Sequence, residues 1–167
     1  MTSLTLDRYK GHAHSYDVKE FGYNYRPTEI TAALGMVQLN KLARKNEMRK
    51  EIVRQYRKML NEKIPEIQIP FVRSTLDQTT AHIMPVLLPE NISRKQVVDS
   101  LMKDGIQTSI HYRPIHTFFA YKTYSNESQL PLTNYIGDHC LTLPLYPGMT
   151  TREVEKCIFA LEKVFGR

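Results

Sequence analysis

The sequence predicts a mixed α/β (α+β) fold, in which a long N-terminal helix is followed by a small sheet flanked by helices. Three observations support this prediction. Apolar residues recur at helical spacing early in the chain, short segments rich in β-branched and apolar residues indicate strands, and two capping motifs mark later helices. The sequence contains no internal repeat.

The chain has the size and composition of one globular domain. It holds 167 residues, of which 41% are hydrophobic and 24% charged, and this excludes disordered and collagen-like classes. Two cysteines, Cys140 and Cys157, cannot form a disulfide framework, so we expect both to be core residues in a reducing compartment. No apolar run approaches the roughly 18 residues of a membrane span. Residues 1–10 lack the apolar stretch of a secretory signal, so we expect a cytoplasmic protein.

Residues 1–26 are predicted to form an irregular arm, because their polar and aromatic residues follow no sustained period. A helix is predicted to begin at Pro27, since the first turn leaves that N–H unpaired in any case. Two apolar stripes follow, offset around residues 41–46, so two helices or one bent helix fit the pattern, and Pro65 ends it. The stripes comprise Ile30, Ala33, Leu34 and Val37, then Met48, Ile52, Tyr56, Met59 and Leu60.

The middle of the chain has the pattern of one β-α-β unit. Thr79–Leu88 is predicted to be a strand, and Pro85 within it indicates an edge or a bulge. Ser93–Gln96 has the spacing of a capping box and predicts the start of a helix, which Gly105 ends in the left-handed conformation. The second strand is predicted over Ile106–Ile110.

The last third begins with a mixed, aromatic loop over residues 117–134. Asn134–Leu141 is predicted to be a short helix capped by its first residue, and Leu143–Tyr146 a short strand. Thr150 and Glu153 have the spacing of a second capping box and predict the start of the final helix.

Basic residues exceed acidic ones, 23 to 17, which gives a formal net charge of +6. Much of the excess lies in the helical residues 41–58. We expect a solvated helix face in which Glu47 pairs with Lys50 and Glu51 pairs with Arg54. The alternative is a non-catalytic regulatory or nucleic-acid-binding module that uses this basic helix 41–58.

A polar and aromatic cluster, FGYNYRP, lies directly before the first predicted helix. The Arg26 guanidinium matches a phosphate or carboxylate, and the helix N-terminus adds exposed N–H groups, so an anion site is one interpretation. The other is that Asn24 only stabilises a turn and Arg26 caps a neighbouring surface.

A second cluster, HYRPIH, follows the second predicted strand. His111 at a strand end is placed to hydrogen-bond a substrate or to move a proton near neutral pH. It fits equally well as a structural imidazole held by one carbonyl.

Metal and nucleophile chemistry are both disfavoured by the sequence. The histidines His12, His14, His111 and His116 occur without a Cys-x-x-Cys or His-Glu-x-x-His partner pattern, so we expect no metal site, and a structural role for His116. Cys140 follows His139 directly, and helix neighbours point to different sides, which disfavours a nucleophile pair there.

Four segments, in order, resemble PLP-dependent sugar-nucleotide aminotransferases of the DegT–StrS type. SYDVKEFGYNYRPTEITAALGMVQLNKL is similar to the signature that follows the cofactor domain in that family. TTAHIMPVLL, GIQTSIHYRPIHTFFAY and LPLYPGMTTREVEKCIFAL resemble the strands, loop and last helix of its small domain. Together they cover nearly the whole chain.

The resemblance implies the C-terminal portion of a fold-type-I aminotransferase, with residues 27–167 as its small domain and the arm 1–26 against a large PLP domain. It implies PLP as cofactor, and transfer of an amino group from glutamate to a keto-sugar nucleotide, in polysaccharide or lipopolysaccharide biosynthesis. The implied assembly is a cytoplasmic homodimer, with no membrane partner and no nucleic acid.

The family's functional residues map onto five positions. By resemblance, Asn24 reaches the PLP phosphate of the partner subunit, and Tyr23 and Arg26 lie near the sugar-nucleotide substrate across the dimer interface. His111 and Tyr112 match the His-Tyr passage that borders the substrate pocket.

The lysine that holds PLP covalently in this family lies in a Ser-Phe…Lys…Gly-Glu-Gly-Gly passage before GYNYR. No such passage occurs in the sequence, and Lys10 and Lys19 lack its context. In the family that lysine both holds PLP and moves a proton during amino transfer. Because it is missing here, we expect a truncated chain that does not transaminate alone and has no catalytic residue.

Overall fold

The computed structural model describes residues 22–23, 25–124 and 130–167. The chain divides into two compact units, Met1–Gln38 and Leu39–Arg167. Its elements are α1 (Glu29–Lys63), β1 (Met84–Leu87), α2 (Arg94–Lys103), α3 (Pro131–His139), β2 (Cys140–Leu143) and α4 (Thr151–Val164), with short 3₁₀ helices at Leu76–Gln78, Ile115–Thr117 and Phe119–Tyr124. The mixed α/β class is therefore confirmed.

A single helix, α1, covers both predicted apolar stripes. It begins after Thr28 rather than at Pro27, because the Thr31 N–H donates to Thr28 Oγ1 at 3.2 Å and so caps the first turn. It ends before Pro65, as predicted. The apolar residues that it buries all belong to the second half and are Ile52, Val53, Tyr56 and Leu60.

The two strands pair in antiparallel register, with Met84 opposite Leu143 and Leu87 opposite Cys140. The predicted strand Thr79–Leu88 is too long, because Ala81 adopts φ +48°, which interrupts extended backbone before β1. The predicted strand Ile106–Ile110 is wrong as a strand, since it contributes one bridge, between Ser109 and Thr142. The sheet is therefore two-stranded, and the β-α-β prediction fails.

Two further boundaries differ from the prediction near the C-terminal end. Helix α3 begins at Pro131, which occupies its first turn without losing a hydrogen bond, so Asn134 is internal rather than the cap. The predicted strand Leu143–Tyr146 is wrong, because β2 lies earlier and ends at Leu143. Pro144 and Pro147 follow it, and neither has a backbone N–H to donate to a neighbouring strand.

The two predicted capping boxes have different outcomes. Ser93 precedes α2 as predicted, but its side chain accepts no capping hydrogen bond. Thr150 and Glu153 form the complete box at α4, where each side chain accepts from the other residue's backbone N–H at 3.3 and 2.7 Å. Gly105 ends α2 with φ +73°, as predicted.

One core joins the elements of the second unit. The second half of α1, both strands, α2 and α4 contribute to it, and β2 is buried on both faces. Its fully buried large side chains include Tyr56, Leu60, Met84, Leu101, Leu141, Leu143, Ile158 and Leu161. Each aliphatic one of these contributes about 1.5–3 kcal/mol by leaving water. Within the described part of the chain, no helix has the length and hydropathy of a membrane-spanning segment.

Candidate functional site

His111 lies in an extended segment that is fixed by β2. The Ser109 N–H donates to the Thr142 carbonyl at 3.1 Å, and the Thr142 N–H donates to the Ser109 carbonyl at 2.8 Å. Two residues further on, His111 Nδ1 shares a hydrogen bond with Thr142 Oγ1 at 2.9 Å. Thr142 is only 4% exposed, so a strand of the core holds the imidazole in place.

A cavity of about 140 Å³ opens beside this pair. Gln107, Ser109 and His111 line one wall, since alternate residues of an extended chain project to the same side. His82, just before β1, and Thr142 also line it. Among the described residues that line it there is no aspartate, glutamate, lysine or arginine. The imidazole, hydroxyl and amide groups can both donate and accept hydrogen bonds, which suits an uncharged, hydroxyl-rich ligand.

Sequence reasoning found His111 but missed the other polar residues of this cavity. Two of them, Gln107 and Ser109, left a signal in their alternation with His111. Thr142 left a weaker signal, as a polar residue inside the apolar run CLTLPL. His82 left none, because its approach to His111 depends on how β1 and β2 pair.

Tyr112, also predicted at the site, has a different environment from its neighbour. Its ring contacts the His111 ring edge-on, with 4.9 Å between centroids, but the side chain is 77% exposed and does not line the cavity.

The other predicted site residues precede α1 in the first unit. Tyr23 is 85% exposed, and its ring lies 5.6 Å from that of Tyr25. Arg26 is exposed just before the capped helix start. Asn24 lies outside the described residues. The anion site therefore stays a prediction.

The basic face of α1 is occupied in part by contacts within the chain. Lys50 pairs with Glu47 at 2.7 Å and Arg54 with Glu51 at 2.9 Å, which confirms both predicted pairs. Arg49 Nε donates to the Ala81 carbonyl at 3.1 Å. These contacts favour the interpretation of this face as a structural helix surface.

The groups considered for nucleophilic chemistry are inert in this environment. Burial raises the pKa of both thiols, Cys140 and Cys157, which keeps them protonated. His116 is buried and shares a hydrogen bond with Asn134 Oδ1 at 2.5 Å, in line with a structural role. No group of three potential metal ligands is found among residues 22–23, 25–124 and 130–167.

Comparison with known families decides the relationship of the chain. The model of the DegT/DnrJ/EryC1/StrS aminotransferase family matches residues 3–162. The chain belongs to this family. The resemblance predicted from the four sequence segments is thereby confirmed.

Solved structures agree with membership in the DegT/DnrJ/EryC1/StrS family. One of them is PseC from Helicobacter pylori, an aminotransferase involved in the biosynthesis of pseudoaminic acid. The chain is 25% identical to PseC, with a TM-score of 0.76 over 92% of this chain and 42% of PseC. DesV from S. venezuelae is 26% identical, with a TM-score of 0.77 over 99% of this chain and 44% of DesV. The PLP-form of Spr1654 from Streptococcus pneumoniae is 26% identical, with a TM-score of 0.75 over 91% of this chain and 39% of that protein.

The chain thus spans about two fifths of the length of the solved structures that it matches, and it fits the C-terminal portion of such an aminotransferase. PLP dependence is implied for the family, and Spr1654 has been solved in PLP- and PMP-forms.

The described residues of this family member do not by themselves fit PLP. Within residues 22–23, 25–124 and 130–167, the lining of the cavity beside His111 includes no lysine to hold the cofactor and no lysine or arginine to meet its phosphate. The residue expected to contact that phosphate, Asn24, is outside the described part. No chemical step through PLP follows from this chain alone.

Proposed function

We propose that the chain is the C-terminal small domain, residues 27–167, of a PLP-dependent aminotransferase that transfers an amino group from glutamate to a keto-sugar nucleotide. The observation that supports it most strongly is the family match over residues 3–162. Bound PLP supplies the electron sink of such a reaction. This chain supplies part of the wall of the substrate site.

In this proposal the cavity at His111 is part of that wall and holds the sugar. Its hydroxyl, amide and imidazole groups are arranged to hydrogen-bond sugar hydroxyl groups. The hydrogen bond between Thr142 Oγ1 and His111 Nδ1 fixes the His111 ring before a ligand arrives, which lowers the entropy cost of binding. Tyr112, exposed beside it, borders the same site in this proposal.

The segment before α1 would act across a homodimer interface. In this proposal Asn24 contacts the PLP phosphate of the partner subunit, and Tyr23 and Arg26 contact the sugar nucleotide. An exposed guanidinium beside a helix N-terminus is suited to the diphosphate of such a substrate.

A binding experiment tests the role of the cavity. Titration of the isotope-labelled 167-residue chain with UDP-glucose should shift the NMR signals of His82, Ser109 and His111, whereas uridine diphosphate alone should leave them in place. His111→Asn should weaken binding about tenfold, because one hydrogen bond to the ligand is lost.

A matched control separates this effect from instability. Thr133→Val, which changes an exposed threonine of α3 outside the cavity, should bind as the unaltered chain does. UDP-glucose shifts that leave the three cavity residues unmoved would contradict the proposed site.

A further inference from the structure

A second, larger cavity lies between α1 and the segment that leads into β1. Its volume is about 460 Å³, within the range of small-molecule sites. Val53 and Arg57 of α1 form one wall, and fourteen residues between positions 69 and 85, Asp77 not among them, form the rest. His82 lines both this cavity and the one beside His111, so the two are neighbours.

Arg57 brings a positive charge to this cavity without a matching negative one. Its Nη2 donates to the Phe71 carbonyl at 3.2 Å, while its Nε is buried and has no hydrogen-bond partner among the described residues. The lining residues, all in the described part of the chain, include no aspartate or glutamate. By contrast Arg54, one turn earlier on α1, pairs with Glu51 at 2.9 Å. Since the part of the chain that the structure describes brings no carboxylate to this guanidinium, its charge at the cavity wall is left for the acceptor of a ligand.

The remaining lining residues are mainly apolar, and the polar ones, which lie between positions 74 and 82, add hydroxyl, amide and imidazole groups. The apolar side chains include Val53, Ile69, Leu76 and Met84. A single cation against apolar walls matches a ligand with one negative charge and an apolar body, rather than a highly charged phosphate. A free amino acid fits poorly, because its ammonium group finds no carboxylate there.

We propose that this cavity binds a small apolar carboxylate, whose carboxylate accepts hydrogen bonds from Arg57 and whose body packs on the apolar walls. The site is separate from the sugar site proposed at His111 and does not depend on it. Bound ligand would contact His82 at the boundary between the two cavities.

A pair of nearly isosteric probes tests this without any substitution. 4-Phenylbutyrate and 4-phenylbutanamide differ in charge and hardly in shape, and each is titrated into the 167-residue chain with calorimetry and NMR. We expect the carboxylate to bind at least about tenfold more tightly, because a hydrogen bond to a charged group is replaced by a weaker one. The shifted signals should include Val53, Leu76 and Met84.

Two arginine variants then locate the effect. Arg57→Gln should abolish the preference for the carboxylate, while Arg54→Gln, the same change on the same helix outside the cavity, should keep it. Equal affinity for the two probes, no binding of either, or loss of preference in both variants would overturn the proposal. If Arg57→Gln does not fold, the two probes on the unaltered chain decide the question.

Discussion

Thr142 is a buried polar residue in an otherwise apolar strand, and its hydroxyl orients His111. The side chain is 4% exposed and lies 2.9 Å from His111 Nδ1. Valine has the same shape but no hydroxyl. Thr142→Val should therefore destabilise the fold by about 1–3 kcal/mol, because the imidazole nitrogen loses its partner in a partly buried site. Urea unfolding measures the change, and the His111 ring signals in NMR should move with it.

Thr142→Ser is the matched control for this prediction, since it keeps the hydroxyl. The His111 ring signals should stay near those of the unaltered chain, even if the lost methyl group costs some stability. Identical ring signals in the valine and serine variants would show that Thr142 does not hold His111.

The sequence predicted a polar site at His111 but not most of the other residues that line it. His111 was identified from its place after a predicted strand and from a family resemblance. Its companions Thr142 and His82 were not, because they come from elements distant in sequence that meet only when β1 and β2 pair. Asn24 stays a prediction, since it lies outside the described residues.

Two helical glycines of this chain should respond to alanine in opposite directions. A Cβ at Gly137 of α3 would lie 2.4 Å from Pro114 Cγ, whereas a Cβ at Gly35 of α1 would meet nothing within 4 Å. Gly35→Ala should stabilise the chain by up to about 1 kcal/mol through helix propensity. Gly137→Ala should destabilise it by about 1–3 kcal/mol, because the proline ring cannot move aside cheaply. Urea unfolding of both variants checks the signs, and stabilisation by Gly137→Ala would refute the close packing of α3 on Pro114.

The capping box of α4 should make stability depend on pH. The hydrogen bond from the Tyr146 hydroxyl, and then those from Thr150, lower the pKa of Glu153 from 4.5 to about 2. A depressed pKa means that this stabilisation is fully present above about pH 4.5 and is lost as the pH falls towards 2. Glu153→Gln should thus be less stable than the unaltered chain at pH 7, and the gap should narrow in that acidic window. Thermal unfolding at pH 7 and within the acidic window measures the difference in stability between the two proteins, and a difference that stays constant would contradict the prediction.

Elements were predicted well where local chemistry alone decides them. The box at Thr150 and Glu153 and the left-handed Gly105 needed no tertiary information. Strand limits were predicted poorly, because pairing rather than propensity selects which part of an apolar run becomes strand. Ile106–Ile110 has strand composition but finds one bridge to β2, at Ser109.

The first half of α1 leaves an apolar surface exposed. Its members are Ile30, Leu34, Met36, Val37, Leu39 and Leu42, and each is at least 45% exposed. Ile30, Leu34 and Val37 follow the i, i+4, i+7 spacing that places residues on one side of a helix, and exposed apolar surface of this kind promotes association. We expect the purified chain to self-associate through it.

A charge on this surface should reduce self-association. Leu34→Glu should weaken it at least about tenfold, because burying an unpaired carboxylate is costly. Met102→Glu is the matched control, since Met102 on α2 is exposed to the same extent, 60%, as Leu34. Sedimentation velocity over a concentration series compares the two. Equal association of both variants would exclude the α1 surface.

For the whole molecule, we propose that this chain provides part of the substrate-binding wall of an aminotransferase but not the lysine that holds PLP. Two parallel samples of the 167-residue chain test this most directly. One is treated with PLP and then borohydride, and the reduced adducts are located by mass spectrometry; the other receives PLP and glutamate without borohydride, and 2-oxoglutarate is measured against a sample that lacks the protein. The result expected from this proposal is sub-stoichiometric labelling spread over surface lysines, and no more 2-oxoglutarate than in the sample without protein. Stoichiometric labelling of one lysine, together with glutamate-dependent amino transfer, would contradict it.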